Sequence, residues 1–484
     1  MPNSRDHNSH SAFTHDSIEG FGYDWERVGD PGIRPRYPLK IYLPQTTADV
    51  VRAVRETRQL GQRLLVRSKG HSSNDLVLEE GGAVLCTELM NKIQKVDEGA
   101  LAVTVQAGTP LADIDDHLSR FGLGLPVIGD HNHITAGGFA SVGGANAASH
   151  RFGLFVDNVR SMEYVTWEGE VAWCTKADDP AHFFRLLTGL GRHGVITTLV
   201  LDVMRVAKMT TVLENKRTLY RNVERYVADS SRWVSDPGDS LYLRGLWADK
   251  DKGPGKKPLL IGQLSRYVET SQGGLVGFRD RLSHRYLHAI GRRAGRASGV
   301  ASAMLHQLGI AGLMLSPRYA SIKNVEIFVD RILDSTKGEP SRWLAAFVPL
   351  EHYPAMFRRY YDLCRDFRTR YGCFTLIGLY IKSVKSSYLA KGDASRRYGE
   401  MVLHLSTRPE RLTPDAWSEL AGRVDEVCME YGGFRYMHTK TGRDATVLRR
   451  IDPNAMYAEE VGLAVPAGAG ALTLPGSARP VGAA

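Results

Sequence analysis

The segment Val66-Arg67-Ser68-Lys69-Gly70-His71-Ser72-Ser73-Asn74-Asp75 sets the tightest limit on what this chain can fold into. It leaves a short apolar strand (Leu64, Leu65, Val66) and at once turns small and polar. A second glycine-rich run, Ile134-Thr135-Ala136-Gly137-Gly138-Phe139-Ala140-Ser141-Val142-Gly143-Gly144-Ala145-Asn146, lies downstream. Glycine lets backbone N–H groups approach a phosphate closely, and hydroxyl and amide side chains add hydrogen bonds. The pair reads as two loops that grip one large anionic cofactor. Taken alone, each would be an ordinary polar turn. His71 is the one imidazole inside the first loop.

Around these loops the chain alternates between strands and helices. Thr46 or Thr47 caps a helix that runs to about Leu60 and ends at Gly61. Strands are expected at Arg63–Arg67, Ala83–Cys86 and Ala102–Gln106. Thr109-Pro110 opens a helix with Leu111, Ile114 and Leu118 on one face, closed by Gly122. Ser161–Thr166 and Glu170–Cys174 read as a hairpin about Glu168-Gly169, followed by a short helix His182–Leu187 and an apolar strand Val195–Val203.

The fold class is α+β. At 484 residues the chain exceeds the roughly 250–300 that one core holds, so two domains are expected. The first spans 1–207, with its core at 38–205. A second, at 208–430, reads as an antiparallel sheet carrying helices, with strands near Ser240–Leu246, Leu259–Leu264, Cys373–Ser383 and Met401–Leu405. Residues 431–462 follow it as a C-terminal segment. Residues 463–484, rich in Ala, Gly and Pro, read as a disordered tail.

Composition narrows the function. No stretch of about 18 apolar residues exists, so no transmembrane segment is expected. The polar, His-rich N-terminus has no signal-peptide core, which points to the cytoplasm. Five scattered cysteines with no CxxC pair argue for reduced thiols. The net charge of +9 comes without basic stripes interleaved with aromatics, so nucleic acid is not an expected partner. Arg279, Arg281, Arg285, Arg292, Arg293 and Arg296 form a basic helical stretch, read either as a solvated face or as a surface for an anionic lipid or a phosphorylated substrate.

Two motifs are set aside. Gly189-Leu190-Gly191-Arg192-His193-Gly194 matches GxGxxG, but a helix precedes it and a strand follows, the reverse of a dinucleotide-binding turn. His131-Asn132-His133 lacks the neighbouring cysteines or carboxylates of a metal site, so no metal is expected.

The ordered set does resemble a family. The entry Pro44-Gln45-Thr46-Thr47-Ala48-Asp49-Val50, the Gly70-His71-Ser72 loop, Val105-Gln106-Ala107-Gly108-Thr109, the GG…VGG run, Gly153…Asp157-Asn158-Val159 and Gly191…Gly194-Val195-Ile196-Thr197 together resemble the FAD-binding domain of the vanillyl-alcohol oxidase / p-cresol methylhydroxylase superfamily. The first loop is most similar to that of aldonolactone and alditol oxidases. The resemblance implies that FAD is held by Arg67, Ser68, Lys69, Gly70, His71, Ser72, Ser73, Asn74, Thr135, Gly137, Gly138, Ser141, Gly143, Gly144, Asn146, Val195, Ile196 and Tyr436. It also implies a covalent bond from His71 to the flavin 8α-methyl. A second, cysteinyl bond is not implied, because His131 stands where bicovalent members carry cysteine.

Tyr431-Gly432-Gly433-Phe434-Arg435-Tyr436-Met437-His438-Thr439-Lys440 resembles the segment that ends near the flavin ring in such oxidases. Lys440, His438 and Tyr436 are therefore the candidate catalytic groups. The implied function is oxidation of a CH–OH group on a small alcohol, sugar, polyol or related natural product, with oxygen or another acceptor taking the electrons. Two alternatives stand beside it: a noncovalent, membrane-associated oxidase of a polyprenyl-phosphate sugar, and a non-catalytic binding protein on a degenerate flavin fold.

Overall fold

In the computed structural model, the described residues are 18–24, 34–72, 76–129, 134–206, 211–240, 242–247, 258–269, scattered positions within 275–311, 319–320, 341–371, 380–390, 395–406, 413–436, 447, 450 and 451. Two sheets organise the first part. Strands β1 (Lys40–Tyr42), β2 (Leu64–Arg67) and β3 (Ala83–Cys86) form a parallel three-stranded sheet in the order β1-β3-β2. Helix α1 (Thr47–Gln59) connects β1 to β2. Thr46 and Asp49 cap its start reciprocally, and Gly61 follows its end in the left-handed conformation at φ +61°.

The next strands, β4 (Ile93–Asp97) and β5 (Ala102–Gln106), begin a five-stranded antiparallel sheet. It is completed by β7 (Val159–Val165), β8 (Val171–Thr175) and β9 (Val195–Asp202) in the order β4-β5-β9-β7-β8. The short β6 (Leu123–Gly124) and β10 (Met204–Arg205) pair with each other. Helices α2 (Leu111–Leu118), α3 (Ala136–Ala140), α4 (Ser149–Phe152) and α5 (Pro180–Leu187) fill the connections.

The later residues build one eight-stranded antiparallel sheet. Its strands are β11 (Thr211–Tyr220), β12 (Tyr242–Trp247), β13 (Leu260–Glu269), β14 (Tyr319–Ala320), β15 (Ser341–Pro349), β16 (Tyr380–Val384), β17 (Tyr398–Ser406) and β18 (Phe434–Arg435). Their order is β14-β11-β13-β12-β16-β17-β15-β18. Helices α6 (Val223–Ser235), α7 (Tyr353–Tyr371) and α9 (Pro414–Glu430) bury an aromatic-rich core against one face, with Tyr226, Tyr353, Phe357, Tyr360 and Phe367 fully enclosed. The small helix α8 (Ser387–Ala390) follows β16.

The other face of this sheet meets the earlier residues. One hydrophobic core joins Phe139, Ala145 and Phe155 to Ala345, Phe347, Tyr398, Val402 and Tyr436. That shared core is what sets the glycine-rich segments opposite strands β15, β16 and β17.

Most expected elements appear, with their ends shifted by a residue or a few. The expected Cys373–Ser383 strand begins at Tyr380, and residues 372–379 lie outside the described ones. So do the expected tail at 463–484 and His131-Asn132-His133. No group of three or more metal-ligating side chains occurs among the described residues. No helix among them is long and apolar enough to cross a membrane.

Candidate functional site

A cleft enclosing about 1670 Å³, its open mouth included, lies between the glycine-rich segments and the eight-stranded sheet. Its floor includes the first loop from Arg67 to Ser72. His71 lines it, half-buried, and Ser72 lines it fully buried. Gly70 turns at φ +72°, and a Cβ there would sit 2.5 Å from the Arg67 guanidinium. Both facts require glycine.

Arg67 belongs to the floor by its position, but its guanidinium does something the sequence did not disclose. It donates to the carbonyls of Gly20 (3.0 Å), Phe21 (3.3 Å), Tyr23 (3.1 Å) and Val77 (3.2 Å). Burial holds its pKa below the ordinary arginine value. Lys69 is drawn to the buried carboxylate of Glu88 at 2.7 Å. Ser73 and Asn74 lie outside the described residues.

The second glycine-rich run is not a loop throughout. Ala136–Ala140 forms helix α3, with Thr135 as its cap. Gly137 N–H donates to Ala107 O at 2.7 Å, and a Cβ at Gly137 would stand 2.7 Å from the Ala107 Cβ. The glycine there permits helix and strand to touch. Gly138 is different: a Cβ on it would point into the space between Thr135 Oγ1 (3.0 Å) and Ser68 Cβ (3.8 Å). The two segments are tied directly, Thr135 Oγ1 donating to Ser68 Oγ at 2.8 Å. Thr135, Gly137, Gly138, Ser141 and Ile196 all line the cleft.

Four expected cofactor contacts stand behind the wall instead. Gly143 and Gly144 accept hydrogen bonds from Val156 N–H and Phe155 N–H. Asn146 is fully buried, its Oδ1 accepting from Ala148 N–H at 2.8 Å. Val195 packs against Val50, Val54 and Leu85 in the core beneath α1. These residues shape the wall rather than its surface.

The GxGxxG stretch is the helix-to-strand turn between α5 and β9. Leu190 adopts φ +54° without being glycine, a conformation that costs about 1–2 kcal/mol, and it lines the cleft beside Gly191 and Gly194. Backbone strain of this kind gathers at functional sites.

The opposite wall comes from the eight-stranded sheet. Trp343, Ala345, Lys382, Glu400, Val402 and Tyr436 face the cleft. Lys382 on β16 and Glu400 on β17 are direct cross-strand partners, Nζ to Oε2 at 3.4 Å, and both are almost completely buried. The register Gly245↔Ile381 sets Arg244 next to Lys382, and Arg244 faces Gln263 in turn. A buried polar row therefore runs across four strands, which is costly unless it serves a ligand or a network. Tyr436 follows β18, and its hydroxyl reaches the backbone of the second segment. Of the three candidate catalytic groups, only Tyr436 is described. His438 and Lys440 lie outside the described residues.

The residues fit FAD. Glycines permit close backbone approach on one side, hydroxyls line the same side, and the mostly apolar cleft ends in the Lys382–Glu400 pair. Residues 38–175 also match the family model described as "FAD binding domain". The chain carries an FAD-binding domain. Residues 38–175 thus agree with the resemblance to the vanillyl-alcohol oxidase / p-cresol methylhydroxylase FAD-binding domain, and lactone oxidases are among the proteins to which the chain is similar.

Curated proteins are similar to this chain over part of its length. An uncharacterized oxidoreductase of the fasciation locus of Rhodococcoides fascians is 31% identical over 41% of this chain and 44% of its own length. L-gulonolactone oxidase of Bos taurus is 28% identical over 43% of this chain and 45% of its own. Cytokinin dehydrogenase 3 of Arabidopsis thaliana is 27% identical over 43% and 40% respectively. The chain thus spans less than half the length of these curated relatives. Lys382, Glu400 and Tyr436 stand outside the residues matched by the family model.

Proposed function

We propose that this chain is an FAD-dependent oxidoreductase that oxidises a CH–OH group of a sugar, polyol or related natural product. The observation that carries the reading is the buried Lys382–Glu400 pair facing the glycine-rich segments across one cleft. FAD, when bound, supplies a two-electron acceptor at N5 of its ring. Glu400 accepts the substrate hydroxyl proton, and Lys382 holds the oxygen as negative charge grows on it. Trp343 and Tyr436 orient the carbon skeleton. His438 and Lys440, a few residues beyond Tyr436, are the competing proton acceptors. His71 is the proposed point of covalent attachment, supported by its place on the cleft floor.

We further read the chain as two domains dividing near residue 207, followed by a returning segment at 431–462 and a tail at 463–484. In support, among the described residues strands β1–β10 pair only among themselves, as do β11–β18. A cytoplasmic setting is supported by the buried thiols of Cys86, Cys174 and Cys428, none of which forms a disulfide among the described residues.

The test is anaerobic flavin reduction by a panel of sugars and polyols, with peroxide detection in air to separate oxygen from other acceptors. Glu400→Gln should slow reduction by roughly two to four decades with flavin content unchanged. Reduction at the wild-type rate, with loss in Lys440→Ala or His438→Ala, would move the base to the C-terminal segment. If no alcohol reduces the flavin, the reading fails.

A further inference from the structure

Between β13 and β14 the chain departs from the far side of the eight-stranded sheet, where β14 is the outermost strand. Described positions in this stretch are helical. Leu275, Phe278, Leu282 and Tyr286 recur at steps of three and four residues, the spacing of one helix face, and Met304 and Leu308 repeat the four-residue step. Each of these six side chains is between 45% and 62% exposed. Single exposed apolar residues are normal, but these are six of the fourteen large ones exposed among all described residues.

The same stretch is strongly basic. Residues 275–308 contain Arg279, Arg281, Arg285, Arg292, Arg293 and Arg296 against one acid, Asp280, a formal +5 out of the chain's +9. An apolar helix face accompanied by arginines matches a bilayer interface: the leucines and aromatics enter the acyl boundary while arginine heads stay at the phosphates. A second copy of the chain suits it less, because a two-fold contact would set this basic stretch against itself. We propose that the exposed face of Leu275, Phe278, Leu282 and Tyr286, with Arg279 beside it, docks the protein on an anionic phospholipid surface. The face is separate from the cleft and does not depend on the reaction assigned to it.

The test uses the full-length, flavin-loaded protein and vesicles of phosphatidylcholine with or without phosphatidylglycerol. Sedimentation should occur with the anionic vesicles and be at least roughly tenfold weaker with phosphatidylcholine alone. It should be lost at about 1 M salt, where the Debye length falls to about 3 Å. The variant Phe278→Glu/Leu282→Glu should lose most of the binding while keeping the wild-type flavin content and melting temperature. The proposal is overturned if the wild type does not sediment with anionic vesicles, or if this variant sediments equally well. It is also overturned if the wild type is a dimer that the variant dissociates, since a second copy would then cover the face.

Discussion

The Tyr436 hydroxyl accepts the backbone N–H of Gly144 at 3.0 Å and that of Ala145 at 3.3 Å, joining positions 292 and 291 residues apart. The contact is buried and closes the chain over the cleft. Tyr436→Phe leaves two buried donors without this acceptor, at about 1–3 kcal/mol. Chemical denaturation should report a loss of that size, together with reduced flavin retention, while the far-ultraviolet dichroism stays native. An unchanged denaturation midpoint would remove this contact from the stability of the fold.

Covalent flavin at His71 predicts that acid-precipitated protein pellets yellow. In His71→Ala the colour should move to the supernatant, because the surviving loop can still hold FAD without the bond. Colour wholly in the wild-type supernatant would sink the covalent assignment.

The two adjacent glycines should separate cleanly. Gly137→Ala drives a methyl against Ala107 in a packed contact and should destabilise the protein by about 1–3 kcal/mol. Gly138→Val projects instead between Ser68 and Thr135, so it should abolish FAD binding and leave most of the stability. The absorbance ratio of flavin to protein and a denaturation curve, measured on both variants, decide the point. Normal flavin content in Gly138→Val would take this face out of the site.

His193 gives a pH dependence with a definite sign. Burial first, then Arg185 and Arg192, lowers its pKa from 6.5 to about 4. Above pH 6.5 the ring is neutral in both folded and unfolded states, and stability is full. Between about 6.5 and 4 the unfolded chain takes the proton first, so stability falls as pH falls. The melting temperature should drop on acidification across this window, less steeply in His193→Gln. Some slope will persist, since burial lowers the His150 pKa in the same direction. Parallel curves for variant and wild type would show that His193 is not a source of the slope.

The parts of the site that were readable were the local ones. Thr46, Asp49 and Gly61 bracket α1 because caps and stops act within a turn of the residues they serve. Gly70 is legible because glycine in a tight polar turn takes a positive φ without the strain that Leu190 carries. Ala136–Ala140 was misread as loop because its two glycines are poor helix formers, and contact with Ala107 overrides that preference. Arg67 looked like a cofactor ligand, since nothing near it in sequence announces carbonyls 44 to 47 positions away. Lys382 and Glu400 were illegible for the same reason. Their pairing exists only in the register of β16 with β17, and neither strand carries a motif that marks it.

The strand order also acts as a ruler. From β14, the edge strand that follows the basic apolar stretch in the chain, to β16, which carries Lys382, the sheet takes four steps. At about 4.8 Å per step this is on the order of 20 Å. If the β14 edge is the one turned to a lipid surface, Lys382 and Glu400 stand at least that far from it, although Gln263 on β13 is only two steps in. A substrate embedded in the bilayer could not present its reacting carbon there. The cleft would accept either a molecule already free in water or one on a tether long enough to cross that gap.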